Sequence, residues 1–148
     1  MKLNGYNGGA IEAAGKLNVS YEGNNTVANE SGDGISVVDG ANESAELNIS
    51  GTGTLTATAE GDALYSERDM TISGTGAVNA TGDASGIYTQ GDLSINTSGT
   101  VTAKGTRAEG IRTDGDITIA DGGTVDTCSE QDFGIIGAAE LVRGLPQK

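Results

Sequence analysis

The sequence predicts an all-β fold, a right-handed parallel β-helix (solenoid) of about six triangular coils of ~24 residues, and three observations support this. A Gly/Ala-apolar pair recurs from Ala10-Ile11 to Gly134-Ile135 at spacings of 24, 29, 23, 24 and 24 residues. Within each repeat, apolar residues alternate with small polar ones, which is the period of a half-buried strand. The chain has 25 Gly, one Pro, one Phe and no Trp, so its core must be narrow and aliphatic.

Each repeat accommodates three short strands separated by Gly-Asp, Ser-Gly-Thr or Asp-Gly-Gly turns. The first strand contributes inward Ile35, Leu64, Ile87 and Ile111. The second contributes Leu17/Val19, Leu47/Ile49, Met70/Ile72, Leu93/Ile95 and Ile117/Ile119, and the third contributes Val27, Leu55/Ala57, Val78/Ala80, Val101/Ala103 and Val125/Thr127. No single coil can bury these residues alone, so the repeats are expected to stack into one domain over residues 1–148.

The two ends and one insertion depart from the repeat. Leu3-Asn4-Gly5 is interpreted as the tail of a third strand, so the first coil starts within ten residues of Met1 without a cap, and an end-to-end dimer through it is one expectation. Glu22 to Asn25, next to Tyr21, is interpreted as a polar loop, and Asp39 to Ser44 as a protruding insertion. Residues 137–148 are predicted to form a C-terminal cap or tail, in which 137–144 favours a helical turn or an irregular cap and Leu141, Val142 or Leu145 covers the last coil.

The charge balance constrains the partners. There are 21 Asp and Glu residues against eight Lys and Arg residues, a net charge of −13. Such a chain repels nucleic acid and anionic membranes and attracts cations or basic proteins, although solubility of an edge-rich β protein explains the charge equally well. No apolar run approaches the ~18 residues of a membrane span, so membrane insertion is not expected.

One column of outward residues has the composition of a ligand site. The position after the inward residue of the first strand contains Tyr65, Tyr88 and Arg112 on consecutive coils, and two positions later stand Glu67, Gln90 and Asp114. Aromatic faces, hydrogen-bonding groups and carboxylates together are typical of sugar and peptide sites. The alternative is structural, since Tyr is favoured in strands and Arg packs well over Tyr.

A second column contains Asp69, Asp92 and Asp116, one per coil at the corner before the second strand. Carboxylates ~4.8 Å apart repel each other, and Ca²⁺ between two of them would reverse the sign of the interaction, so this column is the candidate metal site. Ordinary Gly-Asp turn chemistry is the alternative, because the repeats lack the nonapeptide of calcium-binding β-rolls.

Catalysis and ice binding receive little support. The chain has no His, no nucleophile elbow and no phosphate-binding loop, so an enzyme is not expected. Arg112 beside Asp114 and Asp116 is the one candidate for a lyase-type base. Outward Thr, Ser and Asn ladders are too mixed for an ice lattice and are typical of strands.

The phrases GDLSI, GDITIADGGTVDT and ISGTGTLTATAEGD resemble those of bacterial carbohydrate-binding β-helix domains, which share a pectate-lyase-like fold. The resemblance covers about Ala10 to Ile136. It implies an extracellular or cell-surface, calcium-assisted binder of polysaccharide, with Tyr65, Tyr88 and the Asp column as the matching positions.

The alternative function belongs to another class. If Met1 is the natural start, the chain reads as a small, acidic, cytoplasmic solenoid that occupies a basic site on a partner protein, for example as a phage-encoded inhibitor. A rod with regularly spaced carboxylates can imitate the phosphate line of a nucleic acid.

Overall fold

The fold is a right-handed parallel β-helix, as the repeat predicts. We describe it from a computed structural model, which covers residues 1–120 and 122–137 and the backbone of residues 141–143. Within these residues, nineteen strands, numbered in chain order, form three parallel sheets, each built from one strand per coil. We name the sheets first, second and third after the order of their strands within a repeat.

The first sheet comprises β3 (Ile11–Ala14), β6 (Ile35–Val38), β9 (Leu64–Ser66), β12 (Ile87–Thr89), β15 (Ile111–Thr113) and β18 (Ile135–Gly137). The second comprises β1 (Lys2–Asn4), β4 (Lys16–Glu22), β7 (Glu46–Gly51), β10 (Asp69–Gly74), β13 (Leu93–Thr97), β16 (Ile117–Ile119) and β19 (Leu141–Arg143). The third comprises β2 (Asn7–Gly8), β5 (Asn24–Asn29), β8 (Thr54–Ala59), β11 (Ala77–Gly82), β14 (Thr100–Gly105) and β17 (Thr124–Ser129).

The core consists of vertical columns of equivalent residues from successive coils. Ile87 pairs with Leu64 on one side and with Ile111 on the other, and Ile72 lies in register between Ile49 and Ile95. These side chains are buried, because each coil covers the inward residues of its neighbours. The sequence periodicity therefore identified the register of all three sheets.

The N-terminal prediction was wrong in its details. Leu3 lies in the second sheet, where it pairs with Tyr21 of β4, and not in the third. The stretch from Glu22 to Asn25 is not a loop, because Gly23, with a positive φ of 63°, alone separates β4 from β5. Asn25 is buried, and its amide donates to the carbonyls of Glu22 (2.8 Å), Gly23 (3.3 Å) and Thr54 (3.3 Å).

Tyr21 is a core residue. It is 1% exposed and packs against the corner between the second and third sheets, where Gly51 and Gly76 leave room for its ring. Its hydroxyl has no hydrogen-bond partner among the described residues, and burial raises the pKa of this phenol. Alternation along β4 predicts an inward side chain at position 21, two residues after Val19, but the adjacent polar run obscured that signal.

The insertion protrudes as predicted, whereas the C-terminal region follows the repeat more closely than expected. Residues 39–45 form a connection between β6 and β7 whose tip, from Ala41 to Ser44, is exposed. Residues 141–143 are not a helical turn: they form β19, which pairs in parallel with β16 and continues the second sheet. The remainder of the predicted cap, including Leu145 and the side chains of Leu141 and Val142, lies outside the described residues.

Candidate functional site

The tyrosine column lies on the outer surface of the first sheet, as predicted. Tyr65 pairs with Tyr88, and Tyr88 pairs with Arg112, so the three side chains stack on consecutive coils. The two rings have centroids 5.5 Å apart at an interplanar angle of 57°. The Arg112 guanidinium carbon lies 5.0 Å from the centroid of Tyr88, which is within cation–π range.

The structure brings most of the predicted polar partners to this column. Gln90 donates from Nε2 to the Tyr65 hydroxyl (2.8 Å), and the Tyr88 hydroxyl donates to Oδ2 of Asp114 (3.1 Å). The same Asp114 forms a long ion pair with Arg112, 3.8 Å from Nε to Oδ1. Both tyrosine hydroxyls are therefore engaged within the protein, and a ligand would meet the half-buried ring faces first.

Glu67 is engaged by the insertion and not by the tyrosine hydroxyls. Its Oε2 accepts from the backbone N–H of Asp39 at 2.6 Å, and Arg68 forms a two-pronged ion pair with the Asp39 carboxylate, 2.7 Å from Nη2 to Oδ2. The Arg68 hydrogen bonds and the Ala45 amide lower the pKa of Asp39 to about 2. These contacts tie the base of the insertion to the next coil.

The tyrosines are poor acids in this environment. Partial burial is the largest cause that raises the pKa of Tyr65 and of Tyr88. Carboxylates around them act in the same direction: Glu67 on Tyr65 and Asp114 on Tyr88. Both phenols are neutral hydrogen-bonding groups near pH 7, and neither is an activated base.

The predicted metal column forms a hydrogen-bonded ladder. Oδ1 of Asp69 accepts from the backbone N–H of Asp92 (2.8 Å), and Oδ1 of Asp92 accepts from that of Asp116 (2.9 Å). The Asp69 and Asp92 carboxylates thus each cap the turn of the next coil. In the part of the chain that the structure describes, no group of three or more acidic, Cys or His side chains is close enough to hold an ion. Calcium binding at this column stays a prediction.

A second ladder, which sequence reasoning missed, runs along the corner before the first sheet. Oδ1 of Asp33 accepts from the N–H of Asp62 (2.8 Å), and Oδ1 of Asp62 accepts from that of Ser85 (2.9 Å). The register places Glu109 next in this column. Burial is the main cause that raises the pKa of Asp62. The signal was visible in the sequence, since these residues directly precede the Gly/Ala-apolar pair that defines the repeat.

A column of buried hydroxyls behind the tyrosines was also missed. Ser66, Thr89 and Thr113 follow the outward residues of β9, β12 and β15, and all three are buried. Ser66 donates to the carbonyl of Asp69 (3.0 Å), Thr113 donates to that of Gly91 (2.5 Å), and Thr89 donates to that of Arg68. These bonds satisfy the carbonyls of the corner that carries the Asp69 ladder, so the hydroxyls are structural.

The charge is concentrated on one side of the rod. We define the acidic face as the first sheet with the corners on both sides of it, residues 10–16, 30–46, 60–69, 83–92, 106–116 and 130–137. It contains 17 of the 21 acidic residues and four of the eight basic ones, so its net charge is −13. The rest of the sequence contains four acidic and four basic residues and has no net charge.

The basic residues of the acidic face are all engaged by the protein itself. Lys16 pairs with Glu46 (3.3 Å), while Arg68 and Arg112 form the pairs described above. Arg107 donates from Nε and Nη2 to the backbone carbonyls of Asp83 (3.3 Å) and Glu60 (3.4 Å). Four acidic residues of the face form ion pairs with described side chains: Asp39, Glu46, Asp114 and Glu130. Apart from the buried Glu109, the acidic residues of the face that form no ion pair with a described side chain are exposed or half-buried.

Comparison of the chain with family models, curated proteins and solved structures gives no match. The resemblance to carbohydrate-binding β-helix domains therefore stays a prediction. None of the described residues belongs to a helix long and apolar enough to cross a membrane.

Proposed function

We propose that the protein is a non-catalytic binding module whose acidic face binds a basic surface of a partner protein. The observation that supports this most strongly is the charge distribution, −13 on the acidic face and zero elsewhere in the sequence. A charge needed only for solubility is not expected to concentrate on one sheet and the two corners beside it. A field of one sign over a continuous surface accelerates association with an oppositely charged partner and strengthens it at low salt.

The rigidity of the face favours the same function. The two carboxylate ladders are anchored to backbone amides at 2.8–2.9 Å, so these charges are held in place before a partner arrives. Coils spaced by ~4.8 Å repeat the carboxylates along the rod. A partner that presents Arg and Lys residues along a groove, such as one that otherwise accepts a nucleic-acid backbone, would match this spacing.

The test compares two variants with the same change in net charge. In the first, Glu12→Gln, Glu60→Gln and Asp83→Asn remove three exposed charges of the acidic face. In the second, Asn96→Lys, Thr100→Lys and Thr118→Lys add three charges on the other two sheets. Fluorescence anisotropy with labelled nona-arginine at ~50 and ~150 mM salt is the measurement.

We expect the wild type to bind nona-arginine with an affinity that falls steeply with salt. The first variant should lose about tenfold in affinity and the second less than about threefold, because nearby charges dominate a screened interaction. Equal losses in the two variants would show that only the net charge matters, and salt-insensitive binding would rule out the electrostatic function.

A polysaccharide ligand, with calcium assistance, is the second candidate, and the half-buried rings of Tyr65 and Tyr88 favour it. Sugar faces stack on such rings through contacts that salt screens weakly. Affinity electrophoresis in gels containing plant or bacterial polysaccharides, at ~0.5 M salt, should then retard the wild type but not the Tyr65→Ala/Tyr88→Ala variant.

Millimolar Ca²⁺ should also raise the melting temperature if Asp69, Asp92 and Asp116 hold the ion. An unretarded wild type and an unchanged melting curve would remove this candidate.

A further inference from the structure

Glu109 follows Ser85 in the column on the corner before the first sheet, one coil beyond the end of the carboxylate ladder. In the coils before it, the Asp33 and Asp62 carboxylates accept the amide of the next coil. The equivalent amide after Glu109 belongs to Phe133, and it donates instead to Oδ1 of Asp132 at 2.8 Å. The longer side chain of Glu109 is thus left without the backbone donor that its position in the column would otherwise provide.

The Glu109 carboxylate is nevertheless buried. The residue is 7% exposed, and its Oε2 has no hydrogen-bond partner among the described residues. A buried carboxylate oxygen without a donor is destabilising, and native structures rarely contain one unless a ligand, ion or water completes the site. Glu109 therefore points to a donor that comes from outside the described chain.

The described basic side chains near this corner are already engaged. Lys104 pairs with Glu130 at 3.0 Å, Arg112 stacks on Tyr88, and Arg107 donates to backbone carbonyls. The Ser129 hydroxyl donates to the carbonyl of Ala108 at 2.6 Å. The Arg107 contacts also show that a guanidinium can lie along this corner and donate to two coils at once.

We propose that Glu109 is the anchoring carboxylate for a cationic side chain, preferentially arginine, of the basic partner. The guanidinium would donate to the Glu109 carboxylate next to the Ser85 position of the column, and the side chain, whose Oε2 is buried in the free protein, would turn outward to meet it. Arginine fits this role better than lysine because its planar group donates several hydrogen bonds and loses less hydration when buried. This inference rests on the proposed function and identifies the position on the acidic face where binding is most sensitive to substitution.

The experiment measures the affinity of labelled nona-arginine for four proteins at ~150 mM salt. They are the wild type, Glu109→Gln, Glu109→Ser and the control Glu60→Gln, which removes an exposed charge from the same face. Glu109→Ser introduces the residue type that Ser85 has at the equivalent position of the preceding coil, so it is compatible with the fold. Carboxyl ¹³C shifts of the wild type, followed during the titration, give a readout that needs no variant.

We expect the control to lose less than about twofold in affinity and both Glu109 variants to lose about tenfold or more, because a desolvated ion pair contributes more than an exposed one. The Glu109 carboxyl signal should move on titration. Glu109 variants that bind as tightly as the control, or a Glu109 signal that does not move, would refute the anchor and leave the acidic face in place. Absence of salt-sensitive binding by the wild type would refute both. A Glu109-dependent rise in melting temperature with Ca²⁺ alone, without an effect on peptide affinity, would replace the anchor with a metal site.

Discussion

The three corners of the coil are built in two different ways. The corner between the second and third sheets differs from the two corners beside the first sheet. The former is built from glycines, and Tyr21 packs against it: at Gly76, an added Cβ would lie 2.9 Å from two Tyr21 atoms. The two corners beside the first sheet use carboxylates, such as those of Asp62 and Asp92, which accept hydrogen bonds from backbone amides of the next coil. Both designs close a coil, but the carboxylate corners also charge one side of the rod.

This difference separates what the fold needs from what it allows. A β-helix needs inward aliphatic columns and tight corners, and Gly, Ser, Thr or Asn can provide the corners without charge. The placement of carboxylates on two corners of three is therefore not required by the architecture. It is the feature from which we infer function.

The largest expected effect on stability is the difference between substituting an inward and an outward residue of the same strand. Ile95→Asp buries a charge without a partner in the column between Ile72 and Ile119 and should cost more than ~4 kcal/mol, so the protein should not fold. Asn96→Asp, at the next and exposed position, should change the stability by less than ~0.5 kcal/mol. Circular dichroism and thermal melting give the comparison, and a folded Ile95→Asp protein would show that the register is wrong.

A smaller effect is expected at the glycine corner. Gly76→Ala should destabilise the protein by about 2 kcal/mol, because the new methyl group meets the Tyr21 ring and the carbonyl of Gly53. Tyr21→Phe should be neutral or stabilising by up to ~1 kcal/mol, since it removes a buried hydroxyl without a partner. Urea denaturation measures both. A strongly destabilising Tyr21→Phe would mean that the hydroxyl has a partner.

The smallest effect is expected at an acidic corner. Because burial raises the pKa of Asp62 in the folded state above its unfolded value, the ionised carboxylate opposes folding at pH 7. Asp62→Asn keeps the Oδ1 acceptor for the Ser85 amide and should raise the melting temperature by on the order of 2 °C at pH 7. The gain should shrink at acidic pH, about pH 4, because the folded carboxyl takes up a proton more readily than the unfolded one and the wild type then loses the charge as well.

Asp83→Asn is the control for this comparison, because Asp83 is exposed and the substitution changes the net charge equally. Its melting temperature should stay close to that of the wild type at both pH values. A similar rise in the control would assign the effect to general charge repulsion and not to the burial of Asp62.

Sequence reasoning could predict what the repeat encodes directly. The inward columns, the three sheets and the stacking of Tyr65, Tyr88 and Arg112 follow from alternation and a period near 24, and the structure has them in the predicted register. Sequence reasoning failed where a residue type occurs both in loops and in the core, and where a coil is incomplete. Asn25 is a typical loop residue but here is a buried core residue, and Leu3 belongs to a partial coil too short to show a period.

The segregation of charge could not be predicted before the corners were located in space. Glu30, Asp33 and Asp39 are close in sequence, yet they lie at two different corners, and only the triangular cross-section places both corners beside the first sheet. The isolated carboxylate of Glu109 was hidden for a different reason. It depends on the Phe133 amide, which donates to Asp132 and not to Glu109, and a periodic sequence pattern does not predict such a local hydrogen bond.

The most direct test of the central claim is a map of the binding surface by NMR. A ¹⁵N-labelled sample titrated with nona-arginine at ~150 mM salt reports which backbone amides respond. The account predicts shifts along the acidic face, at Glu12, Glu60, Asp83 and Glu109, with little change at Asn48, Thr71 and Thr102 on the other two sheets. Shifts centred on the second and third sheets, or confined to the two ends of the rod, would contradict it.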